Sequence, residues 1–284
     1  MGKEKRLNRT TTGNIAIFLL LAVVAVFMGL PLVYAILQAF KPLEEIFLFP
    51  PRFFVRRPTL ENFIILFQLT QNLWVPFSRY VFNSLFISVV STIGHVIIAS
   101  MAAFPLAKQK FPGNKLIFNI IVMSLLFTSE VTQIPRYIVM AKTGLINTYW
   151  SLLLPPLAMP LGLYLMRQFM LQIPDSILEA ARIDGANIYQ TLWKIVMPAV
   201  KPAWLTLVIF SFQSIWNRTG MAYIYSEQFK VLPTILRQIT QGGNIARAGV
   251  AAASTVLLMI PPIVIFIITQ SNVIETMSHS GMKG

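Results

Sequence analysis

"IAIFLLLAVVAVFMGLPLVYAIL" (Ile15–Leu37) runs for 23 residues without a charged side chain. About 20 apolar residues in a helix cross the roughly 30 Å hydrocarbon layer of a bilayer. A cationic leader, "MGKEKRLNR", precedes it. A cleaved secretory signal has an apolar region of only about 7–15 residues and a small-residue cleavage site. This run is longer, so it is expected to persist as an uncleaved first span.

Outward from that stretch the pattern repeats. Charge-poor runs lie at about 80–107, charge-free apart from His95, and at 116–135, interrupted late by Glu130. Others lie at 143–166, with Pro155, Pro156 and Pro160, and at 202–222, charge-free as far as Asn217. The last, at 248–272, contains Pro261 and Pro262. Proline in a soluble helix costs about 3 kcal/mol, but neighbouring helices in a membrane bundle satisfy the freed carbonyls. Barrel strands would alternate over about 10 residues instead. The expected fold class is an all-α integral membrane protein with six transmembrane helices.

Composition agrees. The chain of 284 residues is 56% hydrophobic and only 12% charged, against about 25% charged in a typical soluble domain. Its formal charge is +13, from 23 Lys and Arg against 10 Asp and Glu. A nucleic-acid binder gathers its cations on a soluble face, whereas these cations border apolar runs, so lipid is the expected partner and nucleic acid is not. There is no cysteine, which excludes disulfides, thiolate metal sites and cysteine nucleophiles.

Six spans place both termini on one side. The leader and the basic turn "KQKFPGNK" (108–115) argue that this side is cytoplasmic, although the whole-chain Lys and Arg tally is nearly balanced. Residues 1–13 then form a cytoplasmic tail and 14–284 one transmembrane domain with a cytoplasmic loop at 171–201.

That loop carries "EAARIDGANIYQTLWKIVMP" (179–198). Pro174 and Asp175 suit a helix start. Ile177, Leu178, Ala181 and Ile183 then share an amphipathic pattern with Glu179, Arg182 and Asp184, and Gly185 is a C-terminal stop. A second short helix follows with apolar Leu192, Trp193, Ile195 and Val196, punctuated by Pro198 and Pro202. The first helix has a negative balance (Asp175, Glu179 and Asp184 against Arg182), which suits an anionic lipid surface badly. A protein groove is the better partner.

Catalytic and ion-coupling signatures are missing. No G-x-x-x-x-G-K-[ST] loop cradles nucleotide phosphates, and there is no HExxH or triad, so the chain is not expected to be an enzyme. Proton- and sodium-coupled carriers hold acids near the bilayer midplane, and this chain shows none there. His95 reads as a hydrogen-bonded packing residue. Glu130 and Arg218, near span ends, and Gln213 and Asn217 in the fifth span are candidates for a substrate pathway.

"EAARIDGA" with Ile195 and Pro198 resembles the EAA motif of ABC importer permeases, EAAxxDGA-x5-F-x2-I-x2-P. Glu179, Ala180, Ala181, Asp184, Gly185, Ala186, Ile195 and Pro198 match in place, and Leu192 stands where the family has Phe. The stretch 133–170, "NSLFIS" (83–88), Trp216–Asn217 and the terminal "GMKG" are similar to sugar-uptake permeases of the maltose type, MalG-like subunits. The resemblance implies a type I ABC importer permease fold in a bacterial inner membrane. It also implies a MalF-like second permease, an ATP-binding subunit dimer that hydrolyses ATP with Mg, and an extracytoplasmic sugar-binding protein. This chain would bind no cofactor. The motif residues would couple to the ATPase, and Gln241, Gly242, Gly243 and Asn244 in the loop before span six would touch the binding protein. The alternatives are an ABC permease for a non-sugar solute, or a secondary carrier or channel with an incidental EAA-like loop.

Overall fold

A computed structural model describes residues 11–71, 73–241 and 247–281, with side chains placed at 13–71, 73–128, 130–241 and 247–270. Every regular element among them is helical: α1 (Thr11–Ala39), α2 (Leu43–Ile46), α3 (Glu61–Gln71), α4 (Phe77–Lys108), α5 (Asn114–Ser124) and α6 (Ser129–Lys142). After these come α7 (Trp150–Leu157), α8 (Pro160–Leu171), α9 (Asp175–Ile183), α10 (Ile188–Ala199), α11 (Lys201–Trp216), α12 (Leu232–Gln241) and α13 (Ala248–Gly281).

Three helices are long and apolar enough to cross a membrane unaided: Gly13–Ala39, Phe77–Lys108 and Ala248–Gln270. They coincide with the first, second and sixth expected spans. α10 and α11 qualify as a pair bent by 82°. The fifth span was expected to reach residue 222, but α11 stops at Trp216, where Asn217 caps it through its own N–H to Gln213 O. The third and fourth are each two helices rather than one. α5 and α6 part at 125–128, and α7 and α8 part at Ala158–Met159, with Pro160 opening α8.

The chain divides into two compact units. The first comprises residues up to Leu69 together with Thr240–Leu257. α1 exposes nearly all its large apolar side chains, Phe18, Phe27 and Met28 each above 70%, a surface that hydrocarbon tolerates and water does not. Where α1 ends, buried Asn62 on α3 donates from Nδ2 to Ala39 O at 2.9 Å and Lys41 O at 2.7 Å. Gly249 lies so close to Asn62 that a Cβ there would stand 2.0 Å from its Oδ1.

The second unit comprises Thr70–Ile239 and the chain from Leu258, and is organised around α4. Its buried face carries Asn83, Ser84, Ser88, Ser91, Thr92, His95, Ala99, Ser100 and Ala103 at helical spacing. Small and hydroxylated residues let membrane helices approach closely, and α7, α8 and α11 pack on this face. Ser91 Oγ donates to Leu153 O at 3.4 Å, and His95 Nδ1 lies 3.1 Å from Leu157 O. A carbonyl oxygen can only accept, so Nδ1 of His95 is the donor in this contact. Leu157 O lies at the break between α7 and α8, where the helical ladder stops. His95 is thus the hydrogen-bonded packing residue the sequence suggested, and it repairs a broken helix as membrane burial demands.

Candidate functional site

Residues 171–201 fold as the sequence pattern requires. Pro174 caps α9 in extended conformation, Asp175 occupies its first turn, and Asp184 closes it. Gly185 follows at φ +80°, a left-handed conformation cheap only for glycine. The N–H of Ala186 reaches Ala181 O at 2.9 Å and that of Gly185 reaches Arg182 O at 3.0 Å, the paired closure of a Schellman motif. Asn187 then starts α10 with a reciprocal capping box. Its Oδ1 accepts from Gln190 N–H at 2.8 Å, while Gln190 Oε1 accepts from Asn187 N–H at 2.9 Å. Such a box satisfies two orphan donors at once, and here it fixes α10 two residues after the glycine. Thr191–Val196 widens into a π-turn before the bend into α11.

The motif residues divide by exposure. Ala181 and Leu192 are buried, 5% and 3% exposed, with Leu178, Val196, Met197 and Val200 beside them. Leu178, Leu192, Val196, Met197 and Val200 join a core that includes Phe104, Met166, Met170 and Ile173. Glu179, Ala180, Asp184, Gly185 and Pro198 are exposed, and Ala186 and Ile195 are half-buried. Around them Ile177, Ile183, Ile188 and Tyr189 also face outward, Ile183 at 86%. The loop is therefore anchored on one side and presents an apolar, acid-edged ridge on the other.

One contact was not foreseen. Lys108, the last residue of α4, donates from Nζ to Leu171 O at 3.4 Å and to Ile173 O, and pairs with Asp175 Oδ1 at 2.8 Å. It thereby joins three segments: the end of α4, the end of α8 and the start of α9. A cation at a helix C-terminus and an anion at a helix N-terminus are both favourable. The hydrogen bond from Lys108, and secondarily its charge, hold the Asp175 carboxyl below the usual carboxylate range. Beside it, Arg167 Nε donates to Leu106 O at 3.0 Å and its guanidinium stacks 3.7 Å from the Phe118 ring centre.

The pathway candidates do not all meet. Gln213 and Asn217 are exposed one turn apart on α11, with Asn217 Nδ2 donating to Gln213 O at 2.9 Å. Arg218 follows half-buried, its Nη2 3.7 Å from Met159 Sδ at the break between α7 and α8. Glu130 is exposed in the first turn of α6. Gln241 is exposed at the end of α12, a helix where the sequence suggested loop, whereas Gly242, Gly243 and Asn244 lie outside the described residues.

Comparison with known proteins agrees with this geometry. The model of the family described as binding-protein-dependent transport system inner membrane component matches residues 15–279. The chain is 29% identical over 276 residues to the arabinooligosaccharides transport system permease protein AraQ of Halalkalibacterium halodurans, covering 94% of each. It is 30% identical over 275 residues to Protein LplC of Bacillus subtilis, covering 90% of this chain and 89% of that one. With the sn-glycerol-3-phosphate transport system permease protein UgpE of Yersinia enterocolitica it shares 29% over 198 residues, 69% of this chain and 70% of UgpE. It shares its fold with a chain in the crystal structure of a bacterial ABC transporter involved in the import of the acidic polysaccharide alginate. That match has a TM-score of 0.75 at 22% identity and covers 95% of this chain and 99% of the other. The chain belongs to the family of binding-protein-dependent transport system inner membrane components.

Proposed function

We propose that this chain is one half of the translocation pathway of an importer for a sugar or oligosaccharide, coupled by residues 171–201 to a separate ATPase. The observation that carries this reading is the loop: a helix, a Schellman turn at Gly185, a capping box and a second helix, anchored by Ala181 and Leu192 and exposing Glu179, Asp184 and Ile183. A ridge of that kind suits a groove on another protein, with Ala180 and Gly185 permitting close approach. In this reading the chain crosses the membrane six times, two crossings being broken helices, and both termini are cytoplasmic. Residues 1–13 are the tail and 14–284 the transmembrane domain.

The partners are a second permease subunit, a dimer of ATP-binding subunits that binds ATP and Mg, and an extracytoplasmic sugar-binding protein, with Gln241 to Asn244 facing the last. Closure of the ATPase dimer moves α9. Lys108 passes that motion to α4, and the pathway switches by rigid-body alternating access. AraQ, named for arabinooligosaccharides, supports a sugar cargo. The second reading, a non-sugar solute, draws on UgpE, named for sn-glycerol-3-phosphate.

The test is affinity purification from native membranes. Recovery of a second permease and a P-loop ATPase, with hydrolysis raised by a sugar-loaded binding protein, is the expected outcome. A chain that purifies alone and moves solute in liposomes without ATP contradicts the proposal.

A further inference from the structure

Between α6 and the stretch after α11, the second unit carries three tyrosines and two arginines that the coupling loop does not use. Tyr137 on α6 stacks on Tyr223, with centroids 6.4 Å apart and rings 19° from parallel. Its hydroxyl lies 3.1 Å from that of Tyr225. The segment bearing Tyr223 and Tyr225 is bonded four times by Asn147, itself in the left-handed region at φ 60°. Asn147 donates its backbone N–H to Tyr223 O at 2.8 Å and accepts at Oδ1 from Tyr225 N–H at 3.1 Å and Ser226 N–H at 2.8 Å. Its Nδ2 also donates to Ser226 Oγ at 2.7 Å. The shelf is therefore preorganised, yet its rings are open, Tyr137 at 38% and Tyr225 at 60% exposure.

Two cations flank it. Arg136 precedes Tyr137, and Arg218 reaches the break between α7 and α8. Their hydrogen bonds go to neutral atoms: Arg136 Nη2 donates to Thr132 Oγ1 at 3.3 Å and Arg218 Nη2 to Met159 Sδ at 3.7 Å. Neither bond neutralises a guanidinium, and the charge of Arg136 acts against that of Arg218. Half-buried like charges are unfavourable together, and an arriving anion relieves the repulsion. Guanidinium forks match carboxylates bidentately, while flat tyrosines supply rigid area with a polar tip, suited to the apolar face of a pyranose ring.

We propose that Arg136, Arg218 and the shelf of Tyr137, Tyr223 and Tyr225 form a site at the outer mouth of the pathway for a carboxylated oligosaccharide. The tyrosines hold the sugar rings and the arginines hold the uronate groups. This rests on reading the chain as a sugar permease with this end extracytoplasmic.

The test uses the complete transporter in nanodiscs of zwitterionic lipid, titrated with tetragalacturonate and with maltotetraose. Tetragalacturonate is expected to bind, more weakly as salt rises from about 50 to about 500 mM, and maltotetraose is not. The double substitution Arg136→Gln, Arg218→Gln should weaken tetragalacturonate binding by about tenfold or more, and Lys at both positions should restore part of it. Should the Gln variant fail to assemble, the salt dependence and the preference for the uronate over the neutral sugar in the unaltered complex decide the matter. Equal binding of maltotetraose, or tetragalacturonate binding indifferent to salt and to both substitutions, overturns the site. So does its abolition by phosphatidylglycerol in the nanodisc, which would assign the arginines to lipid. A complex that binds neither sugar here but still couples uptake to ATP hydrolysis refutes the platform and leaves the permease reading standing. A chain that copurifies with no ATPase refutes the permease reading itself.

Discussion

Gly185 offers a test in which backbone and steric arguments give opposite orders. Its φ is +80°, and a Cβ built there meets nothing within 4 Å. Substitution therefore has one cost, the left-handed backbone, about 1–2 kcal/mol for an ordinary L-residue. At 1.36 kcal/mol per tenfold, that lowers the population of the closed turn by about 5- to 30-fold. The bonds at stake are Ala186 N–H to Ala181 O and Gly185 N–H to Arg182 O, which set where the Asn187 capping box begins. Gly185→Ala should leave insertion and subunit assembly intact but misplace α10 relative to α9. Gly185→Asn, larger yet tolerant of the left-handed region, should recover most of the loss. The assay is sugar accumulated per ATP hydrolysed by the reconstituted complex in proteoliposomes. The expected order is Gly, then Asn, then Ala. If Asn is worse than Ala, or all three couple alike, bulk or nothing at all governs this position and the turn argument fails.

Other expectations follow from the same geometry. Lys108→Met removes the bonds to Leu171 O, Ile173 O and Asp175 and should lower the coupling ratio more than it lowers basal ATPase, with Lys108→Arg intermediate; equal coupling in Met and Lys forms would remove the clamp from the mechanism. Because the Asp175 carboxyl is held below its ordinary range, its contribution is complete above the unfolded carboxylate range and is lost only as pH falls through the lowered value. Coupling should therefore be flat from pH 8 to about 5 and decline only in more acidic buffer, and a Lys108-dependent decline already near pH 7 would contradict the pairing. Gly162→Ala would bring a Cβ within 2.1 Å of His95 Nε2 and 2.9 Å of Leu207 Cδ1, so α8 must draw back from α4 and α11. About 1–3 kcal/mol of destabilisation is expected, read as an earlier thermal melt in detergent and relieved in part by His95→Ala; no change in the melt means the helices are not packed this closely.

What the sequence made legible and what it hid have distinct physical origins. Unbroken apolar runs located α1, α4 and α13, because length and lack of charge are all that a simple crossing requires. Proline marked one break, where Pro160 opens α8, but was a poor guide to the rest. Pro31, Pro105, Pro135, Pro155, Pro156, Pro261 and Pro262 all lie inside helices, whereas the gap between α5 and α6 contains none. Neighbouring side chains such as Ser91 and His95 decide which carbonyls stay satisfied, and those neighbours are distant in sequence. The helix–turn–helix of the coupling loop was readable from Pro174, Asp175 and Gly185, since capping and left-handed turns are local. Its capping box was also present as Asn187-x-x-Gln190, a variant of the usual Ser/Thr-x-x-Glu. The π-turn at 191–196 left no comparable signal. Lys108 read only as part of a basic turn, for its partner Asp175 lies 67 positions away. The tyrosine shelf was equally hidden, because Asn147 joins segments almost 80 residues apart.

The central claim, that α9 is the surface that meets the ATPase, is open to one direct measurement. The chain has no cysteine of its own, so single cysteines report without background. Ile183→Cys, at a position 86% exposed on α9, should cross-link to the ATP-binding subunit in native membranes, with a yield that changes when nucleotide is added. Phe49→Cys, at a position 93% exposed in the other unit, should instead be labelled from outside by a membrane-impermeant thiol reagent and form no such cross-link. Labelling of Ile183→Cys from outside, or a cross-link to the ATPase through position 49 and not 183, contradicts the account.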